Sequence, residues 1–152
     1  MEEKLLKLFL KVRESFKDVK DKVSLIKPYF ELLCFATGWA LKIEEYEKIL
    51  GFNPEYIYMS EEQIYGIAAS YRIDDEITEG IIAREFAEIV AREKDITDLD
   101  VIDRICVERG FGEQLLSALQ NDILPGMVER DFIVREHLEM RVKNLKDMME
   151  KP

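Results

Sequence analysis

Apolar residues recur at alternating steps of four and three near both ends of the chain. This spacing places them on one side of a helix, and charged residues fill the other sides. We therefore predict a long amphipathic helix at each end of the chain, free to pack on the core, on the other terminal helix or on a partner. The N-terminal stripe consists of Leu5, Phe9, Val12, Phe16, Val19 and Val23, and the C-terminal stripe of Val134, Leu138, Val142, Leu145 and Met149.

The segment between Pro28 and Gly51 is richer in apolar and aromatic residues. Pro28 suits the first turn of a helix that continues through Cys34, and the pair Thr37-Gly38 ends it. A second, more buried helix is expected to follow and to reach Leu50 before Gly51.

Residues 56–72 change in character, because Tyr and Ile alternate with small residues. This composition predicts two short strands, Tyr56 to Met59 and Ile64 to Arg72, joined as a hairpin by the turn-forming residues 60–63. The second strand would place Tyr65, Ile67, Ala69 and Tyr71 on one face and the smaller set of Ile64, Gly66, Ala68 and Ser70 on the other. We expect another element to pack closely on that smaller face.

Three further helices are predicted downstream. The first begins near Thr78, whose hydroxyl suits an N-cap, and ends in the acidic stretch 93–100; the second runs from Asp98 to Arg109 before Gly110. The third is short and occupies residues 111–122. With 152 residues, the chain is expected to form a single α+β domain, mostly helical with a small antiparallel hairpin. We divide it into N-terminal helices (1–50), a core (51–125) and a C-terminal helix (126–152).

The order of the central pieces is distinctive. A strand with Tyr-Gly-Ile-Ala (65–68) is followed by a loop and then by GIIAREFAEIVARE (80–93). This order resembles the small zincin-like metallopeptidases, in which the helix carries His-Glu-x-x-His. Arg84 stands at the position of the first histidine, Glu85 at the general-base glutamate, and Glu88 at the second histidine. The later DVIDRICVERGF (100–111) is similar to the family's second helix, which carries an Ala-Asp pair and ends in Gly-Phe. Asp103 matches the aspartate of that pair, and Leu99 stands at the third ligand position.

The resemblance implies a zincin-like core that has lost its zinc site. Arginine has no lone pair to offer and stays protonated, and leucine cannot bind metal, so no cofactor and no peptidase activity are expected. We hypothesise that Arg84 supplies the surrounding carboxylates with the positive charge that zinc would have supplied. The vestigial site would consist of Arg84, Glu85, Glu88 and Asp103. The function implied is a pseudo-peptidase that binds a protein or peptide in the former substrate cleft or through its terminal helices.

An alternative from the enzyme class is a hydrolase in which Glu85, Glu88 and Asp103 hold Mg²⁺ or Mn²⁺. On a helix, Arg84, Glu85, Glu88 and Arg92 fall within one arc, opposite the apolar face of Ile82, Phe86 and Ile89. Arg84 and Arg92 each lie four residues from Glu88, at the spacing of helical ion pairs.

Charge and composition exclude other classes of function. The formal net charge is -10 and basic residues are interleaved with acidic ones, which argues against nucleic acid as a partner. The start lacks the pattern of a signal peptide and no run is apolar enough for a membrane span, so a cytoplasmic protein is expected. Abundant Glu, Lys and Ile with little Asn and Gln are typical of proteins from hot environments.

The remaining reactive side chains form no recognisable motif. Cys34 and Cys106 lie far apart in sequence and are expected to be buried, reduced thiols. His137 is the single histidine and has no Glu three residues before it, so we assign it a structural role. The aspartates at 95, 98 and 100 lack the closing glutamate of a calcium loop and are expected to cap and flank a helix.

Overall fold

The computed structural model of the chain describes residues 2–29, 38–123 and 132–150. The six helices in these ranges are α1 (Glu2–Arg13), α2 (Ile43–Leu50), α3 (Asp75–Glu93), α4 (Leu99–Glu108), α5 (Gly112–Ala118) and α6 (Phe132–Glu150). The four strands are β1 (Val23–Ile26), β2 (Gly38–Lys42), β3 (Tyr56–Tyr58) and β4 (Tyr65–Ala69). The predicted α+β class, mostly helical with a small sheet, is confirmed. None of the helices in the described ranges combines the length and the apolar character needed to span a membrane.

The four strands form one mixed sheet in the order β2-β4-β1-β3. Strand β1 runs parallel to β4 and antiparallel to β3, and β2 runs antiparallel to β4. The predicted hairpin is therefore wrong, because β1 lies between the two strands that were expected to pair. The connection from β3 to β4 passes the start of β1, where the Ser60 backbone N–H donates to Ser24 Oγ at 2.9 Å. The fully buried run Val-Ser-Leu-Ile of β1 explains its central place.

The first fifty residues contribute strands as well as helices, which corrects the predicted N-terminal helical segment. Helix α1 ends at Arg13; Phe16 and Val19 remain buried but lie in turns, and Val23 opens β1. The three-and-four spacing correctly predicted which residues are buried, but it did not predict their backbone conformation. Strand β1 is extended because it pairs with strands that are distant in sequence. Residues 38–42, expected to be helical, form strand β2 for the same reason. The helix predicted from Pro28 through Cys34 falls largely outside the described residues, as does Cys34 itself.

Most predicted helix ends agree with the structure. Helix α2 ends before Gly51, whose φ of 77° is left-handed, and Asp98 caps α4 by accepting from the Asp100 N–H at 2.9 Å. The cap of α3 was predicted wrongly. Asp74 caps this helix by accepting from the Ile77 N–H at 2.9 Å. The Thr78 hydroxyl lies inside the first turn, where it donates its one proton to the Asp74 or the Arg72 carbonyl, 2.9 and 3.1 Å away. A carboxylate four residues upstream thus takes the capping role.

Helix α3 lies at the centre of the molecule and packs against the sheet, α1, α4 and α5. Phe86 on α3 stacks on Phe16, with ring centroids 5.1 Å apart, and contacts Phe9 of α1 at 5.3 Å. Apolar residues of both terminal helices belong to this same core. They are Leu5, Leu8, Phe9 and Val12 of α1 and Leu138, Val142 and Leu145 of α6. The stripes therefore pack within the molecule, one of the alternatives expected from the sequence.

Helix α2 covers the opposite face of the sheet, where the sequence predicted close packing on Gly66. A Cβ on Gly66 would lie only 2.8 Å from Ile43 Cδ1 and 3.2 Å from a ring carbon of Tyr46. The Tyr46 hydroxyl donates to the Trp39 carbonyl at 2.7 Å and lies 3.1 Å from the Gly66 carbonyl. The predicted close approach to the smaller face is confirmed.

We expect Gly80→Ala to lower the free energy of unfolding by about 1 to 3 kcal/mol, because an added Cβ would lie 2.2 Å from the Gln114 carbonyl oxygen of α5. Urea denaturation followed by circular dichroism measures the change. The matched control is Gly51→Ala, where space is open and only the left-handed backbone costs roughly 1 kcal/mol. A Gly80→Ala protein as stable as the wild type would contradict this packing.

Candidate functional site

A cleft of about 320 Å³ lies between strand β2 and one side of helix α3. Within the described part of the chain, β2 pairs only with β4 and forms an end of the sheet. The cleft is lined by Gly38, Trp39, Ala40 and Leu41 from β2 and by Arg84, Glu85, Glu88 and Arg92 from α3. The helical arc predicted from the sequence thus faces a cleft rather than open solvent.

Arg84 holds two carboxylates of its own helix. Its guanidinium lies 3.1 Å from Glu88 Oε2, four residues on, and 3.5 Å from Glu85 Oε1. Burial lowers the pKa of Arg84, but the carboxylates of Glu85, Glu88 and Asp103 outweigh burial and leave that pKa above its usual range. Arg84 therefore remains a fixed cation in the position where the resemblance implies a zinc ligand.

Glu85 is the most deeply buried acid of the cleft, with 6% of its surface exposed. Burial raises the pKa of Glu85 to about 7, an effect that Arg84 opposes and Glu88 reinforces. Its second oxygen, Oε2, is buried and makes no hydrogen bond. An unpaired buried carboxylate oxygen is unfavourable, so this atom marks a place where the site is incomplete.

Asp103 and Arg92 take partners outside the predicted cluster. Asp103 is 1% exposed and accepts hydrogen bonds from Nε and Nη2 of Arg141 on α6, at 2.9 and 2.8 Å. It lies near Arg84 but does not line the cleft. Arg92 pairs with Glu45 of α2 at 3.1 Å, and no contact with Glu88 accompanies it. The predicted Arg84–Glu88 pair is confirmed, whereas the Arg92–Glu88 pair is not formed.

Arg141 and strand β2 are the parts of the site that the sequence did not indicate. Arg141 lies 38 residues from Asp103, on a helix whose charged positions look alike, and no local pattern singles it out. Residues 38–42 carry weak strand propensity, since Gly, Ala and Lys are depleted in strands. Only the tertiary structure brings these residues beside α3.

The predicted ligands for a divalent cation are not assembled as a set. Within the residues that the structure describes, no three His, Cys, Asp or Glu side chains lie close enough together to hold a metal ion. Both oxygens of Asp103 are engaged by Arg141, and the Arg84 cation lies beside Glu85 and Glu88. Leu99, at the third ligand position of the resemblance, is partly exposed at the start of α4.

The other reactive side chains lie away from the cleft lining. Cys106 is free and buried, as expected, and burial with the nearby Asp103 raises the pKa of its thiol to about 12. His137 lies on an exposed position of α6. Neither side chain is placed to act as a nucleophile or base in the cleft.

Comparison with known proteins found no matching family model, no matching curated protein and no matching solved structure. The function must therefore be inferred from the residues of the cleft.

We expect Glu85→Gln to change how stability depends on pH. The folded chain holds the Glu85 proton up to a pKa of about 7, whereas the unfolded chain releases it near the ordinary value of 4.5. The stabilisation from protonated Glu85 is thus complete below pH 4.5 and is lost as the pH rises through about 7. Between pH 5 and 8 the variant should gain roughly 1 to 3 kcal/mol relative to the wild type.

Urea denaturation at several pH values measures this difference. Carboxylates remote from Glu85 are common to both proteins, so the difference between the two profiles reports on Glu85 and its immediate neighbours. Parallel pH profiles for the wild type and Glu85→Gln would contradict the raised pKa.

Proposed function

We propose that this protein is a non-catalytic, zincin-like pseudo-peptidase that binds a peptide segment of a partner protein in the cleft between β2 and α3. The observation that carries the proposal is the cleft itself, in which Arg84, Glu85 and Glu88 face a strand at the end of the sheet. Ligand sites are commonly concave and combine apolar walls with a few polar groups, as here. The free, buried Cys106 is in keeping with a cytoplasmic location.

The arrangement around Arg84 supports the zincin-like part of the proposal. The resemblance implies a metal beside a helix that packs against a small sheet, and α3 packs on β2 and β4 in this way. The Arg84 guanidinium lies between Glu85 and Glu88, and in this proposal it takes the place of the metal. A fixed cation repels a divalent metal but keeps the two carboxylates in place. The cleft would thus keep its shape although the metal and the peptidase activity are lost.

The cleft is a better candidate for partner binding than the terminal helices. The apolar stripes of α1 and α6 are largely used by the protein's own core, where Phe9 and Leu145 are fully buried. Self-association through these helices would have to use their charged, exposed sides instead of the apolar stripes. By contrast, Arg84, Glu88 and Arg92 retain exposed area along the cleft.

A peptide library displayed on phage tests the proposal. Random peptides selected on the immobilised protein should bind the wild type and lose at least tenfold in affinity for Glu88→Lys, because a second cation beside Arg84 changes the charge of the cleft. The matched control is Glu61→Lys, which makes the same charge change in an exposed loop outside the cleft lining. Failure to enrich any peptide, or equal binding by Glu88→Lys, would sink the proposal.

The metal-dependent alternative predicts a different response. We expect Mn²⁺ and Mg²⁺ to leave the melting temperature unchanged, because Arg84 opposes a divalent cation and Arg141 occupies Asp103. A thermal shift assay measures this, since a ligand that binds only the folded state raises its stability. A stoichiometric rise that disappears in Glu85→Ala would favour a carboxylate-dependent hydrolase instead.

A further inference from the structure

One guanidinium is shared between two carboxylates at the base of the cleft. Arg84 approaches Glu88 Oε2 at 3.1 Å and Glu85 Oε1 at 3.5 Å. Glu85 Oε2 is left without a hydrogen-bond partner, although the residue is only 6% exposed. A side chain this deeply buried ordinarily has its acceptors satisfied.

Among the described residues, the neighbouring arginines Arg92 and Arg141 already form ion pairs with other carboxylates. Arg92 pairs with Glu45 at 3.1 Å, and Arg141 holds both oxygens of Asp103. Arg84 thus lies beside two carboxylates, Glu85 and Glu88, and Glu85 Oε2 has no partner. When Glu85 is ionised, one of these two carboxylate charges is left without a cation of its own.

We propose that the cleft binds a primary ammonium group, from a peptide N terminus or a lysine side chain, against Glu85 Oε2. The inference takes the same cleft as the proposed function and names the group that the cleft recognises. A single positive charge would balance the ionised Glu85 carboxylate and give the unpaired oxygen a donor. It also makes Glu85 a determinant of specificity rather than a remnant.

The geometry favours an ammonium over other cations. A guanidinium binds best through two nitrogens to two oxygens, but Glu85 Oε1 already faces Arg84. A divalent metal needs several ligands and would be repelled by Arg84. Gly38 of β2 lies close to this side chain, since a Cβ built on it would lie 3.3 Å from Glu85 Cγ. An ammonium is compact, and each of its three N–H donors needs only one acceptor oxygen.

Methylammonium chloride is the direct probe. Added to the ¹⁵N-labelled protein, it should cause saturable shifts in the amide resonances of Gly38 and Glu85, and tetramethylammonium chloride, which has no N–H, should not. The apparent affinity should fall at least tenfold in Glu85→Gln and stay unchanged in Glu61→Gln. No saturable shift in the wild type would overturn the inference, and this result decides the matter even where Glu85→Gln does not fold. Unchanged binding by a folded Glu85→Gln would also overturn it.

Peptides enriched in the phage selection identify the source of the ammonium. Each is compared with its N-acetylated form and with a form in which norleucine replaces lysine. Loss of at least tenfold in affinity on acetylation assigns the N terminus, and the same loss on lysine replacement assigns the side chain. Equal binding by all forms would refute the ammonium while leaving the proposed function intact. Methylammonium binding without any enriched peptide would support the ammonium site and contradict the proposed peptide binding.

Discussion

The burial of helix α3 is the constraint on which the rest of the structure depends. The sheet lies on one side of this helix, and α1, α4 and α5 pack around the others. Gly80 allows the backbone of α5 to approach closely, and Phe86 anchors the aromatic contacts with α1. A helix enclosed in this way has few places for charged side chains. Arg84, Glu85 and Glu88 therefore occupy the side facing β2, where the enclosure is incomplete.

The charged side of α3 is costly to bury. Moving ions out of water is unfavourable unless each finds a partner of opposite charge. Arg84 meets this need for Glu88 and partly for Glu85, and the raised pKa of Glu85 shows that the compensation is incomplete. An apolar helix side would be simpler to bury, and the charges lie where β2 leaves α3 beside an open cleft.

Local signals in the sequence located the later helices and strands β3 and β4, but not strands β1 and β2 or the pairing of the strands. Glycine after α2 and aspartate before α4 act on their immediate neighbours, so Gly51 and Asp98 revealed these ends. Gly66 likewise indicated a close approach, because its small size matters whatever packs on it. Strands β1 and β2 owe their extended form to distant partners, and their short segments carry too little pattern to show it.

In the candidate site, too, residues close in sequence were predicted and contacts between distant elements were not. Arg84, Glu85 and Glu88 belong to one helix turn and were found together, since helical spacing alone places them on one side. The Arg141 partner of Asp103 and the Glu45 partner of Arg92 come from other elements. These two ion pairs could not be predicted, because the sequence indicates where each helix lies along the chain but not which helices pack against each other.

The parallel pairing of β1 with β4 has a consequence for how the chain folds. Val23 lies opposite Tyr65, so the two central strands meet only after the intervening segment, which includes β2, α2 and β3, has looped round. Closing such a loop costs entropy before any strand contact repays it. The helices can form from nearby residues, whereas the middle of the sheet depends on contacts remote in sequence. Refolding should therefore be slower than in a helical bundle of equal length, with sheet assembly as the slow step.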